Sequence, residues 1–368
     1  MGHGCRCGAH HHGHKKEVKN HSHRKEQRRK EGWNCKIPHF TLQSTMTSSE
    51  LKQLPQDGDL LASSGSDSYL LPVGVAATKV NELWNQDTRG SGILCAVVDS
   101  GIAQNHPELK GAVVERYNIP SLEGRPLHHH GTHVAGTVGA RGLLRGVAPE
   151  CGLVDVRIYD ENGRGEDGWV SQALAWINNR IEAGLNIKVV NLSLGGNTYV
   201  EEVAIQLAKL DQKGVAVVVA AGNDGDGKPN TIETSFPASV VTSIAVGAYD
   251  PRNNKVASFS ESNEYLSCSA CGVRVLSSFP EGYGVMDGTS SAAPHVSGFL
   301  CLLFQKLARE RPDFKGRPLL QEVKRLLRNS TVNPEGSGYS REYGYGYLTY
   351  KGSTTVLSDM EKQQTQAL

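Results

Sequence analysis

The chain predicts an α/β fold: a doubly wound, mostly parallel sheet flanked by helices, preceded by a disordered basic N-terminal arm. Three observations carry this. Short apolar runs of strand length recur between residues 93 and 276. Helix-periodic stretches separate the early runs, which is the pattern of a parallel sheet covered on both faces. Several runs end on polar or small residues, where such a sheet gathers its functional groups.

Taken in order, residues 1–35 form the arm, with nine Lys/Arg against three Glu. It also holds seven of the 14 histidines and Cys5, Cys7 and Cys35. Metal or nucleic-acid binding is the sharper reading of this composition. A solvated arm is the plainer one, and no Cys/His spacing there matches a structural zinc site. Residues 36–69 read as a linker or short prosegment, with a helical turn at 48–54 and a Gly/Ser/Asp-rich stretch at 58–68. Residues 70–350 form the folded domain and 351–368 a polar tail.

Within that domain, Ala76 to Trp84 is helix-like. Ile93-Leu94-Cys95-Ala96-Val97-Val98 is a continuous apolar run, as expected of a strand buried on both faces. Further runs are Leu153–Ile158, Lys188–Leu192, Val215–Ala220, Ser243–Val246 and Val273–Leu276. Helical patterns lie at Thr132–Ala140, Trp169–Ala183 and Val200–Lys213, and a long apolar one at Val296–Leu307.

The chain of 368 residues is long enough for one large domain with tails, or two domains. At 38% hydrophobic and 21% charged it should fold as a soluble globule. The net charge of +1 hides a basic arm on a mildly acidic body. No apolar run reaches the length of a membrane span, and no secretory signal is visible. Cys95 and Cys301 sit inside apolar runs and read as buried thiols. Cys268 and Cys271 have C-x-x-C spacing, but with no second pair they read as chance neighbours. An intracellular, reducing compartment fits this cysteine usage.

The polar residues after the runs form a set. Asp99 follows the first, and Ala221-Gly222-Asn223 follows Val215–Ala220. His130 lies at the start of one helical pattern, and Ser290 precedes the long apolar helix. Gly288-Thr289-Ser290-Ser291 alone is ordinary helix-capping chemistry. With a His, a carboxylate and an amide, the serine has what a hydroxyl nucleophile needs: a base, an orienter for that base, and an oxyanion donor.

Five blocks carry a more specific likeness. They are Val97-Val98-Asp99-Ser100-Gly101-Ile102 with His106-Pro107-Glu108-Leu109, His130-Gly131-Thr132-His133, Asn191-Leu192-Ser193-Leu194-Gly195-Gly196, Ala220-Ala221-Gly222-Asn223, and Gly288-Thr289-Ser290-Ser291-Ala292-Ala293-Pro294-His295. In content and order they resemble the signature blocks of the subtilisin-like serine proteases (subtilases), over Leu71 to Tyr350. The Asp, His, Ser order is also that family's.

The resemblance implies a serine endopeptidase acting on polypeptides. Asp99 would be the triad carboxylate, His130 the general base, Ser290 the nucleophile and Asn223 the oxyanion donor. Ser193, Leu194 and Gly195 resemble one substrate-pairing edge, and Gly163 and Gly165 the other. Ala221 and Gly222 would line a first pocket, with Glu166, Asp167 and Asp224 making the cleft acidic. Tolerance for basic substrate side chains follows as an expectation, against a reading of these carboxylates as a solvated rim. His133 and His295 read as packed residues, and His128 and His129 as solvated loop residues rather than a metal triple. Ser291 stands where most relatives have Met, which implies low sensitivity to peroxide.

No cofactor is expected. Many relatives bind calcium through a loop after the His block. Thr137–Pro149 is short, with two arginines and no acidic side chain, so that calcium site is expected to be absent. Glu108 matches a ligand position of that site, and Asp250 is a candidate for a weaker cation site. Leu51–Leu61 faintly resembles the end of a prosegment, and cleavage somewhere in the N-terminal part is expected on activation. The chain is expected to be a monomer with no membrane partner. The rival class is a pseudoenzyme that keeps the fold as a binding module.

Overall fold

A computed structural model describes residues 42–52, 60–62, 69–166, 168–336 and 338–351. The arm, much of the 36–69 segment, nearly all of the tail and Asp167 lie outside the described residues. The strands used below are β1 (Leu42–Met46), β2 (Leu94–Asp99), β3 (Val113–Asn118), β4 (Gly152–Arg157), β5 (Ile187–Leu192), β6 (Ala216–Ala220), β7 (Ile244–Asp250), β8 (Leu266–Cys271), β9 (Val275–Ser278) and β10 (Tyr283–Met286). The longer helices are α1 (His129–Gly139), α2 (Trp169–Glu182), α3 (Glu201–Gln212), α4 (Thr289–Glu310) and α5 (Gly316–Asn329).

Seven strands form a parallel sheet in the order β8-β7-β6-β5-β2-β4-β3. Alternation along β2 shows why its run is apolar throughout. Cys95 and Val97 pack with side chains of α1, α4 and α5 on one face. Ala96 and Val98 pack with α2 and α3 on the other. The winding reverses at β2, which lies between β4 and β5. The crevice at the carboxyl end of β2 is therefore where a doubly wound sheet places a site.

Two expectations about the elements needed correction. The run Val273–Leu276 does not join the main sheet. It contributes to β9, which pairs antiparallel with β10, and β10 pairs with β1. Ala76–Trp84 is not one helix but two short ones, Val73–Ala77 and Asn81–Trp84, broken where Lys79 takes φ 55°. Strands β3 and β8 and helix α5 did not figure in the sequence reading at all. Cys268 and Cys271 lie on β8, where residues three apart point to opposite faces, and both are buried and not joined in a disulfide.

Candidate active site

Strand β2 delivers Asp99 to its carboxyl end, 1% exposed. Helix α1 begins opposite it and carries His130, which is fully buried. His130 Nδ1 lies 2.9 Å from each Asp99 carboxylate oxygen. A carboxylate only accepts, so Nδ1 holds the proton and Nε2 is left as the basic nitrogen. Asp99 is fixed in turn by the Ser100 backbone N–H, 2.7 Å from Oδ1. Ser100 also stitches the strand end to the helix start. Its hydroxyl donates to the His128 carbonyl at 3.0 Å and accepts from the Gly131 N–H at 2.9 Å. A Cβ at Gly131 would strike the Ser100–Gly101 backbone, so the residue after His130 has to be glycine for α1 to sit this close.

His128 and His129 are half-buried, which corrects the expectation of solvated loop residues. His128 Nδ1 accepts from the His130 N–H at 3.3 Å and so caps α1. His129 lies against Phe279, with ring centroids 4.9 Å apart. Burial, reinforced by the charges of His129 and His130, pushes the His128 pKa down to about 4.

The second half of the site is built at the start of α4. Gly288 takes φ 149°, a conformation that favours glycine, and the helix begins at Thr289. Ser290 follows, fully buried, and its hydroxyl makes no hydrogen bond among the described residues. Asn223, just past the end of β6, is oriented by Thr289. Its Oδ1 accepts from the Thr289 N–H at 2.9 Å and from the Thr289 hydroxyl at 2.8 Å. With Oδ1 occupied, the amide NH₂ turns the other way. A Cβ placed at Gly288 would lie 3.1 Å from Ser290 Oγ and 3.3 Å from Asn223 Nδ2. The hydroxyl and the amide thus border one small space. Helix α1 packs on α4, which joins the Asp99–His130 half to the Ser290–Asn223 half.

Pro294, inside α4, has no N–H to give the Ser290 carbonyl. The Ser193 hydroxyl donates to that carbonyl instead, at 2.7 Å. Asn191 supports the same join: its Nδ2 donates to Ser193 Oγ at 2.9 Å and its Oδ1 accepts from Ser297 at 2.8 Å. The side chain of Ser193 therefore anchors α4. Leu194 is buried, and Gly195 is half-buried beside Ser235. Gly163 turns at φ 70° within a loop held by Asp160, and Gly165 packs on Tyr159. Ala221 and Gly222 are buried directly before Asn223. Glu166 and Asp224 are exposed.

His133 and His295 are fully buried, with His133 Nε2 2.8 Å from the Val275 carbonyl and His295 Nδ1 3.0 Å from the Ser291 carbonyl. Burial pushes their pKa values down to about 3 and about 4, so both are neutral packing residues. Glu108 is also fully buried, and backbone donors surround it. Its carboxylate accepts from the N–H groups of Gly142, Leu143 and Leu144 at 3.0 Å each and from the Tyr283 hydroxyl at 2.7 Å. Asp250 Oδ1 is engaged by the Arg252 guanidinium at 3.0 Å. Among the described residues, no group of three or more His, Cys, Asp or Glu could hold a metal ion.

Sequence reasoning missed two contributors. Thr289 was within reach, since its neighbours on both sides were singled out. Glu261 was not, because it lies in a loop with no motif. It is 1% exposed, and Oε1 accepts from the Ser235 hydroxyl at 2.7 Å. Burial pushes its pKa up to about 7.

Comparison with known proteins gives the family. The Subtilase family profile matches residues 90–346. The chain is 35% identical over 270 residues to the Major intracellular serine protease of Bacillus subtilis (strain 168), covering 70% of this chain and 83% of that protein. It is 37% identical over 246 residues to Subtilisin of Bacillus pumilus, covering 64% of this chain and 85% of the relative. Against Subtilisin E of Bacillus subtilis (strain 168) the figures are 37% over 246 residues, 64% of this chain and 61% of the relative. None of the described helices is long and apolar enough to cross a membrane. From the profile match and these identities, the chain belongs to the subtilase family.

Proposed function

We propose that Ser290 is the nucleophile with which this serine-type endopeptidase opens peptide bonds, with His130 as general base, Asp99 as orienting carboxylate and Asn223 as oxyanion donor. The observation that carries the reading is the Asp99–His130 pair at 2.9 Å, joined through α1 and α4 to a serine and an amide that border one space. An extended peptide pairs its backbone with the edges at Ser193–Gly195 and Gly163–Gly165, which demands little of its sequence. Ser290 Oγ attacks the carbonyl carbon, and its proton passes to His130 Nε2. Asp99 stabilises the imidazolium that results. The carbonyl oxygen becomes an oxyanion held by Asn223 Nδ2 and by the Ser290 N–H, one of the first-turn groups that a helix does not use internally. Collapse expels the amine, which takes the proton from His130 and leaves an acyl ester on Ser290. Water, deprotonated by His130, releases it.

Peptide hydrolysis should vanish in Ser290→Ala. In Asn223→Ala, kcat should drop by about 10²- to 10³-fold, the range measured for such a donor in a subtilisin. A fully active Ser290→Ala protein would end the reading.

The same section of the chain supports a view on cations. Glu108 has its lone pairs taken by backbone N–H groups and the Tyr283 hydroxyl, so we propose that activity needs no calcium there. Intracellular residence as a monomer is proposed as well. The relatives named intracellular support the compartment, as do Cys95, Cys151, Cys268 and Cys301, buried thiols outside any disulfide. Cell fractionation tests the first part and sedimentation the second; secreted or dimeric enzyme would count against them.

A further inference from the structure

Glu261 has a position that the mechanism above does not use. A carboxyl group this buried is costly unless its lone pairs are satisfied or its charge is paired. Glu261 Oε1 has the Ser235 hydroxyl, but Oε2 has no hydrogen-bond partner among the described residues. No ion-pair partner is found for it among them either. The charges nearest to it, Asp224 and Glu233, are of like sign and add to the rise in its pKa, while the Ser235 hydroxyl and the Asp224 backbone N–H oppose that rise. An unsatisfied buried group in a folded protein asks for an explanation.

The surroundings supply one. Gly222 precedes Asn223, and a Cβ there would run into the Glu261 carboxyl and the Ser235 hydroxyl. Across from it, a Cβ at Gly195 would touch Ser235 Cβ at 3.6 Å and the Phe236 carbonyl at 3.5 Å. Gly195, on one expected substrate edge, and Gly222, expected to line the first pocket, therefore converge on Ser235 and Glu261. A substrate whose carbonyl oxygen sits on Asn223 Nδ2 sends the side chain of that same residue, P1, along Gly222 toward this floor. The exposed Glu166 and Asp224 are screened by solvent and discriminate weakly. A buried carboxylate discriminates strongly, because only a cation offsets its desolvation.

We propose that Glu261 is the specificity-determining residue of the P1 pocket and selects a lysine or arginine side chain, through the carboxylate at the junction of Gly195, Gly222 and Ser235. This rests on Ser290 and Asn223 acting as described above. The serine chemistry itself does not depend on Glu261.

The test measures kcat/KM on peptides that differ only at P1, with Lys, Arg, Leu or Phe, for the wild-type protein, Glu261→Gln and Glu261→Asp. Wild type should favour Lys and Arg over Leu and Phe by about tenfold or more. Glu261→Gln should lower the ratio of kcat/KM on the Lys and Arg peptides to that on the Leu and Phe peptides by about that factor. Glu261→Asp, which keeps the charge, should retain part of the preference. Wild-type protein that cleaves all four peptides alike overturns the proposal and leaves the protease reading standing. So does a basic preference that survives in Glu261→Gln. Wild-type protein that cleaves none of them overturns both. Where Glu261→Gln fails to fold, Glu261→Asp carries the test, and a preference for Lys and Arg undiminished in it overturns the proposal.

Discussion

At the residue scale, the site is a matter of which lone pairs and donors are already taken. Asn223 can present its NH₂ only because Thr289 occupies its Oδ1 with two donors. His130 can present Nε2 only because Asp99 holds Nδ1–H. Asp99, His130, Asn223 and Ser290 were legible in the sequence because each sits in a short block whose residue types the chemistry demands. The partner Ser193 was legible as a residue but not in its role. Its hydroxyl serves the Ser290 carbonyl that Pro294 leaves unserved, a consequence of helix geometry rather than of any motif. Glu261 left no trace, because a lone Glu in a loop says nothing of what its fold places beside it. Asp167, expected in the cleft, lies outside the described residues.

At the element scale, the start of α1 carries a pH dependence. The His128 cap works only while Nδ1 is an acceptor, and burial together with the charges of His129 and His130 lowers its pKa to about 4, so the folded state holds it neutral. The unfolded chain takes up this proton near pH 6.5. His128 therefore contributes stability that is present above about pH 6.5 and is lost as pH falls toward 4. Histidine 128 replaced by Asn keeps a capping oxygen and removes the titration. His128→Asn should lose less stability than wild type between pH 7 and pH 5 in urea unfolding. Parallel losses in the two proteins would contradict the assignment. Strand and helix existence was largely readable from period, but partners were not. The run Val273–Leu276 looked like another buried strand, and nothing local told it to pair with β10 instead of β7 or β8. Helix α5 shows the opposite failure: Leu319, Leu320, Val323, Leu326 and Leu327 form a plain 3.6-residue stripe, buried in the structure, that the reading passed over.

At the scale of the whole molecule, Glu108 ties distant parts together. It joins the turn at Pro107–Leu109, the Gly142–Leu144 loop and β10. Glu108→Ala would leave three backbone N–H groups and the Tyr283 hydroxyl without their acceptor. A loss of about 3 kcal/mol or more is expected in urea unfolding, and a change under about 1 kcal/mol would show the carboxylate to be dispensable. The same account expects EDTA to leave the melting temperature of the wild type within about 1 °C, since a bound ion would otherwise stabilise the fold by mass action. A clear fall in Tm would place a cation in the protein. The sheet order itself lay beyond the sequence, because it is set by contacts far apart in the chain. What the sequence did supply was the alternation of strands and helices, and with it the carboxyl ends where the site was to be sought.

The most direct measurement is labelling with an active-site fluorophosphonate, followed by mapping of the modified peptide. The wild-type protein should carry one label, on Ser290, and Ser290→Ala should carry none. A wild-type protein that takes no label, or one labelled on Ser291 instead, would contradict the account.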